Sequence, residues 1–558
     1  MAQPNVPRSE HAALGDGSPP PNGTRGTQNI GGVGKFPTPP TWLWVPAALV
    51  GLLMLLPPTY LVIRSLDTPA NFLSIVFTAN NGSILLRTGL LVLVVTILSA
   101  ILGVSMAWLT TRSNLPMRQW FGVLGALPLV IPSYVFAFLF IIVAGPNGMI
   151  QDALQPLGVE RIPSIYGFPG ASISLTLLSF PYVFLPARAA LYRIDPSLEE
   201  AARSLGYSPV QSFFRVTLPL IRPAVIAGSL LVALYTLSDF GAVSMFRYQT
   251  FTWAIFIQYE TAFDRSGAAA LSLVLISVAL IILVMETSFR SQGSYHRITP
   301  GTQRKPSTIS LGQWRWPAFA YAAVVTMVSL GIPIAVLIYW AIRGFLAGEP
   351  FDMLIPNTIN TLYISALAAA AAAFAGVPIA ILAVRYPSRV TSLIEKLTYL
   401  GFALPGIAVA LAFVFFGTRT MSFLYQSPAM LVLAYLVLFL PASMGSTRAS
   451  LKQVSPGLEE AARSLGKNSF NAFRLVTLPL LSRGIAAGTA LVFLLTMKEL
   501  PATLILSPPG FGTLATSVWS AASEAFFARA AVPALLLILL AGIPMAVLVH
   551  RENRQRVD

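Results

Sequence analysis

Polar residues are scarce along this chain, and they cluster. Between the clusters run long stretches in which Leu, Val, Ile, Ala and Phe follow one another without the twofold alternation of a half-buried strand. About twelve of them reach the roughly 20 residues that a helix needs to cross a bilayer. They lie at about 42–63, 84–110, 120–144, 170–192, 222–245, 267–287, 316–341, 358–384, 395–416, 428–450, 483–506 and 530–549. Backbone groups inside hydrocarbon must be satisfied within the chain, and unbroken apolar runs satisfy them as helices rather than as a barrel. The pattern therefore predicts an all-α, polytopic membrane protein. The small side chains of Ala368 to Ala373, inside the eighth run, suit close helix approach.

A 25-residue polar stretch interrupts this pattern twice. It reads DPSLEEAARSLGYSPVQSFFRVTLP over 195–219 and SPGLEEAARSLGKNSFNAFRLVTLP over 455–479, an offset of 260 residues (455 − 195). A fixed internal repeat sets architecture, so the chain reads as two homologous six-helix halves. Asp195 and Ser455 are good helix N-caps, and Pro196 and Pro456 suit the first helical position. Leu198, Ala201, Ala202 and Leu205 recur at helical spacing, as do Leu458, Ala461, Ala462 and Leu465. Glu199 and Glu200 fall at the positive end of this short helix, and Gly206 and Gly466 stop it. A second short helix begins at Ser208 or Asn468, and Leu218-Pro219 and Leu478-Pro479 close the unit. A helix of about 15 Å cannot span a bilayer but fits a groove on a partner.

The stretch resembles the EAA loop of permease subunits of ATP-driven importers: Glu-Ala-Ala, three residues, Gly, nine residues, Ile, one residue, Leu-Pro. Here it is Glu200-Ala201-Ala202, Gly206, Val216, Leu218-Pro219, and again Glu460-Ala461-Ala462, Gly466, Val476, Leu478-Pro479, with Val for Ile in both copies. The resemblance implies the type I importer permease fold. It implies that Glu199, Glu200, Ala201, Ala202, Gly206, Leu218 and Pro219, with Glu459, Glu460, Ala461, Ala462, Gly466, Leu478 and Pro479, couple the chain to two cytoplasmic ATPase subunits. Glu200 and Glu460 would anchor the loop, and Gly206 and Gly466 would make its turn. ATP would be used by those partners. The chain has no GxxxxGK[ST] sequence and is expected to bind no cofactor and to be no enzyme.

Composition agrees with a membrane protein: 55% hydrophobic, 10% charged, mean hydropathy +0.72. The net charge of +15 does not form one basic face, which argues against nucleic acid as a partner. Basic residues fall instead in segments that lie on one side if there are twelve spans: a 289–315 linker with Arg290, Arg297, Arg304 and Lys305, then Arg385, Arg389, Lys396, both repeat loops and the tail 551–558. The positive-inside rule makes that side cytoplasmic and places both termini there; the resemblance to importer permeases implies a bacterial inner membrane. Residues 1–40, rich in Pro, Gly, Asn and Ser, are expected to be a disordered cytoplasmic extension and not a cleaved signal. The permease halves are then 41–288 and 316–550. No Cys is present, and His11, His296 and His550 lie outside the apolar runs, which excludes a histidine-lined metal path and disfavours an intramembrane enzyme.

The repeat extends past the loops at the same offset. Pro181 matches Pro441, Arg188 matches Arg448, Gly228 matches Gly488, Asp239 matches Glu499 and Phe251 matches Phe511. Asp239 and Glu499 lie within apolar runs, where an ionisable group costs at least about 2.5 kcal/mol and faces a cavity or a partner. Two readings stand. They line or gate a translocation pathway with Lys498, or they form ion pairs that lock helices together.

The segments Ser238 to Ser244 with Arg247 to Thr252, and Met497 to Leu504 with Gly510-Phe511 and Thr513 to Ala515, are similar to the corresponding regions of permeases for ferric iron, in which both halves are also fused. Gly512 stands where that family would have Asp. The resemblance implies ferric iron delivered by an external, periplasmic binding protein, with Asp239 and Glu499 as metal candidates. Oxygen ligands suit a hard cation, but related scaffolds import thiamine, polyamines or phosphonates. An ion-gradient carrier also uses repeats and intramembrane carboxylates, commonly with inverted repeats, whereas these are parallel.

Overall fold

The computed structural model describes residues 39–66, 77–261, 264–292 and 308–557. The expected extension 1–40, apart from its last two residues, and the centre of the 289–315 linker lie outside the described residues. Those described belong to one unit starting at Pro39. They are mostly helical, and the one β-bridge among them pairs Ser113 with Ile309.

Each expected apolar run is helical. The first half contains Thr41–Leu66, Ala79–Arg112, Ser133–Ala144, Phe168–Ser179 continued by Pro181–Arg193, Leu218–Ser238 and Arg265–Gln292. The second contains Arg315–Thr326 continued into Ile332–Leu346, Leu354–Arg385, Gly406–Arg419, Pro428–Leu451, Leu478–Met497 and Phe527–Val557. These are called spans one to twelve. Ten are single helices, or nearly so, long and apolar enough to cross a membrane. The ninth is a pair, Arg389–Phe402 and Gly406–Arg419, bent by 111°. The twelfth is apolar over Phe527–Gly542. Leu52, Leu86, Leu93 and Ile101 point away from the protein, as lipid-facing side chains do.

Four expected boundaries are corrected. The third run, expected at 120–144, breaks into Arg118–Leu124 and Ser133–Ala144; Pro132, extended at φ −63° and ψ 148°, starts the second piece. Pro405 does the same in the ninth, at φ −64° and ψ 139°. Proline has no N–H to continue a helix and is at home at its start. The fifth and eleventh runs, expected to reach 245 and 506, end at Ser238 and Met497, and short helices Gly241–Met245 and Pro501–Leu506 follow.

The repeat offset is also not constant. Pro405 follows Pro132, and Arg385 follows Arg112, by 273 residues, against 260 for the loops. The 13 extra residues (273 − 260) are carried by the loop containing Met149–Leu154 in the first half. Past the eleventh span the second half gains three residues. Thr250 and Thr513 precede ten-residue helices, Phe251–Glu260 and Leu514–Ser523, so the structural partner of Phe251 is Leu514 and not Phe511.

The halves interlock through their first spans. Span one lies against spans eight and nine: Tyr60 Oη is 2.9 Å from Thr420 Oγ1, and its ring meets Phe416 edge-on at 5.7 Å. Span seven returns the contact, with Tyr321 Oη 2.6 Å from Ser105 Oγ and Phe319 on Phe121 at 5.6 Å. Within each half, span four crosses span five, and span ten crosses span eleven, at a glycine. A Cβ on Gly228 would lie 2.6 Å from the Tyr182 carbonyl oxygen, and one on Gly488 2.9 Å from Ser443 Cα. Gly228→Ala and Gly488→Ala should each destabilise the folded protein by roughly 1–3 kcal/mol, seen as a lower thermal midpoint in detergent. Gly82→Ala, with open space around it, should not lower the midpoint.

Candidate functional site

The two polar repeats fold alike. Pro196–Ser204 and Pro456–Ser464 are nine-residue helices. Asp195 caps the first by accepting from Ser197 N at 3.0 Å, whereas Ser455 occupies the cap position without a side-chain bond. Gly206 and Gly466 hold φ of +88° and +83°, with open space around each, so the left-handed backbone alone requires glycine there. Ser208 and Gln211 then form a capping box, and Asn468 accepts from Asn471 N at 2.8 Å. Leu218-Pro219 and Leu478-Pro479 do not close the unit as expected. Each follows a wide π-turn, Phe213–Thr217 or Phe473–Thr477, and begins the next span within one continuous helix. The wide turn absorbs the hydrogen bond that the proline cannot make.

The neighbouring glutamates face opposite ways. Glu200, Glu460, Ala201 and Ala461 are exposed, and so are Leu198, Leu205, Leu458 and Leu465. Glu199 is buried. It accepts from Thr217 Oγ1 at 2.7 Å, and Arg112 Nε lies 3.9 Å away. In the second half Glu459 accepts from Thr477 Oγ1 at 2.9 Å, with Arg385 Nε at 3.3 Å. Arg112 ends span two and Arg385 span eight, and both also hold the chain just before the loop helix: Arg112 Nη2 donates to the Leu191 and Ile194 carbonyls at 2.9 and 3.2 Å, Arg385 Nη2 to Val454 at 2.9 Å. Removing Arg112 would strand the buried Glu199, at about 3–5 kcal/mol; Glu459 is a quarter exposed, so the loss in the second half is smaller. Sequence reading missed the pairing of Arg112 and Arg385 with the loop carboxylates, because 273 and 260 are different offsets. The available signal was a basic residue closing a long apolar run in each half.

The paired carboxylates sit at the broken ends of spans five and eleven. Asp239 Oδ1 accepts from Ala242 N at 3.0 Å and Val243 N at 3.3 Å; Glu499 Oε1 accepts from Ala502 N at 2.9 Å. Each therefore caps the short helix after its break. Backbone oxygens there are also bound: Thr252 Oγ1 donates to Asp239 O, and Thr503 Oγ1 to Glu499 O, both at 2.6 Å. Each carboxylate meets the start of the helix after the third-type break. Ser133 begins that helix beside Asp239, and its counterpart Gly406 packs so closely on Glu499 that a Cβ would overlap the carboxylate. Lys498 does not pair with Glu499; its Nζ donates to the Leu129 carbonyl of the other half at 2.8 Å. No ion pair among the described residues includes Asp239, Lys498 or Glu499, so the helix-locking ion pairs are absent there. No three His, Cys, Asp or Glu residues among those described come together as a metal site.

Elsewhere the halves differ. Arg448 forms an ion pair with Glu395 at 2.7 Å, whereas Arg188, its match, donates to the carbonyl of Gly122, the match of Glu395, at 2.8 Å. A side chain at 122 would overlap the guanidinium. At 512, a Cβ would overlap the Asn357 amide, and the Gly512 carbonyl accepts from Asn360 Nδ2 at 2.9 Å, so the Asp expected there would require the Asn357 side chain to move.

Similarity to known proteins identifies the family. Residues 97–291 and 374–556 each match the binding-protein-dependent transport system inner membrane component. The chain belongs to this family. Its two copies of the family domain carry one polar loop each. The chain is 37% identical over 516 residues to the Fe(3+)-transport system permease protein FbpB 2 of Haemophilus influenzae, covering 91% of this chain and 98% of that one. It is 25% identical to the ferric transport system permease protein FbpB of Actinobacillus pleuropneumoniae, covering 74% and 62%. The molybdenum transport system permease protein ModB of Escherichia coli is 32% identical over 33% of this chain and 82% of its own length. A multi-pass inner-membrane transport component is therefore established.

Asp239→Asn keeps an acceptor for the two backbone N–H groups, whereas Asp239→Ala removes it. The alanine variant should lose about 0.5–2 kcal/mol relative to the asparagine variant, measured as the difference in thermal midpoint in detergent. Equal midpoints for the two would show that capping is not the role of this carboxylate.

Proposed function

We propose that this chain is the membrane-spanning permease of an ATP-driven importer of ferric iron, with no enzymatic activity or cofactor of its own. The observation that carries this reading is end-to-end similarity to a fused Fe(3+) permease, 91% of one chain against 98% of the other. The molybdenum relative matches only a third of this chain, and that favours iron over the other solute. A soluble binding protein outside delivers the ion. Two ATPase subunits inside seat one loop helix each against the exposed Leu198, Leu205 and Glu200, and against Leu458, Leu465 and Glu460. ATP binding closes the ATPase pair and draws the loops together, the halves rock, and the pathway opens outward; hydrolysis resets it. The basic residues near the loops support a cytosolic position for them and for both termini. Asp239, Glu499 and Lys498 belong to the wall of the pathway, where they hold the broken spans in shape.

Glu200→Lys with Glu460→Lys should abolish ATP-dependent uptake of radiolabelled ferric iron by vesicles carrying the chain, its ATPase subunits and loaded binding protein. Uptake that persists in the variant, driven by an ion gradient without ATP, would show a different motor.

A further inference from the structure

The ion pairs at the loops are one end of a longer connection. Span two begins at Ala79 and ends at Arg112; span eight begins at Leu354 and ends at Arg385. Near the far end of each, a threonine hydroxyl accepts a backbone N–H from the helix beyond the broken span. Thr88 Oγ1 accepts from Phe251 N at 3.2 Å, and Thr361 Oγ1 from Leu514 N at 2.8 Å. Thr88 to Arg112 and Thr361 to Arg385 are both intervals of 24 residues, about 36 Å of helix.

The outer contact reaches the carboxylate break in both halves. In the first, Phe251 is followed by Thr252, whose hydroxyl holds the Asp239 carbonyl at 2.6 Å. In the second, Leu514 packs in one apolar cluster with Met497, two residues before Glu499, and with Leu354 and Leu362 of span eight. The same span is thus gripped at one end by the loop helix and at the other by the segment that closes the break. Nothing else in either loop helix ties it to its own half by a buried charge: Glu200 and Glu460 face outward.

Resting on the coupling role assigned to the loops above, we infer that spans two and eight are the struts carrying loop movement to the broken spans, held by Arg112–Glu199–Thr217 and Arg385–Glu459–Thr477 at one end and by Thr88 and Thr361 at the other. A continuous helix transmits a push along its axis because its hydrogen bonds are internal, and a buried charge pair at its end cannot slip without stranding a charge. Arg112, Arg385, Thr88 and Thr361 are positioning residues in this scheme.

The test is a double-mutant cycle on the complete complex in proteoliposomes, with ferric iron on its binding protein as the probe and iron transported per ATP hydrolysed as the readout. Arg112→Gln and Thr88→Val should each lower this ratio by about fivefold or more, while the ATPase subunits still co-purify. The double variant should be no worse than the poorer single, because either change already breaks the same connection. Sites this far apart have additive effects when they act independently, so a double variant that multiplies the two losses overturns the strut, as does an unchanged ratio in either single. Thr88→Ser, which keeps the hydroxyl, should retain the ratio. Should Arg112→Gln fail to assemble, Arg385→Gln with Thr361→Val carries the same test in the other half. A wild-type chain that binds no ATPase subunits would overturn the importer reading itself; a coupled wild type with multiplicative variants overturns the strut alone.

Discussion

A backbone N–H released inside a bilayer has no water to bond to. Spans five and eleven nonetheless stop part-way, at Ser238 and Met497, and the chain turns into a short helix before continuing. What makes this tolerable is a carboxylate within each break, Asp239 directly after span five and Glu499 two residues after span eleven, accepting from the short helix that follows. Threonine hydroxyls complete the arrangement by donating to the carbonyls of the same two residues. An aliphatic residue at 239 or 499 would leave those donors bare in a low-dielectric setting, at roughly 1–3 kcal/mol for each unsatisfied group. The irregular segments are thus tolerated because their polar groups are met by the protein, and the remaining spans are packed around them.

The interlocking of the halves follows from the same economy of polar groups. Span one lies on the second half and span seven on the first, so the interface between halves is mostly apolar helix surface with a few hydroxyl pairs, such as Tyr60 with Thr420 and Ser105 with Tyr321. Lys498 adds a charged donor across that interface, aimed at the Leu129 carbonyl beside the broken third span. A carbonyl freed by a break is met by a lysine from the other half, so the breaks in one half are stabilised partly by the other. Separating the halves would expose both groups.

Much of this was legible in the sequence. The apolar runs mark the helices, and the repeated loop marks two halves, because both patterns are local. The carboxylates were legible as a matched pair but not as caps, since whether Asp239 serves a cavity, a partner or its own backbone depends on where the helix ends. Ser238-Asp239-Phe240-Gly241 offers a capping residue before a glycine, yet in an apolar run the helix could equally have continued. Arg112 and Arg385 were visible only as residues that end apolar runs. Their partners lie 87 and 74 residues further on, across an insertion of 13 residues that shifts the repeat. The pairing of Phe251 with Leu514 was hidden in the same way by three added residues. One offset cannot align a repeat whose loops differ in length, and contacts that join segments on either side of such a loop are lost to it.

Fusion of the two halves explains which features differ between them. In a permease built from two identical chains, every substitution appears on both sides of the axis. In one chain the sides change independently. Gly122 and Glu395 are matched positions, and the arginine that each meets has adapted: Arg448 has a carboxylate, whereas Arg188 has a carbonyl and the aromatic faces of Phe184 and Tyr192. The π-turns differ too. Phe213 packs on Trp108 of its own half, Phe473 on Trp42 of the other. Against this freedom, the features that stayed equal are those each half needs for itself: the carboxylate caps, the glycine at the crossing of spans four and five or ten and eleven, and the Arg–Glu–Thr contact under each loop helix. Packing side chains can be exchanged for others of similar volume, but a buried charge and a broken backbone each admit few alternatives. The internal repeat separates the two kinds of position within a single sequence.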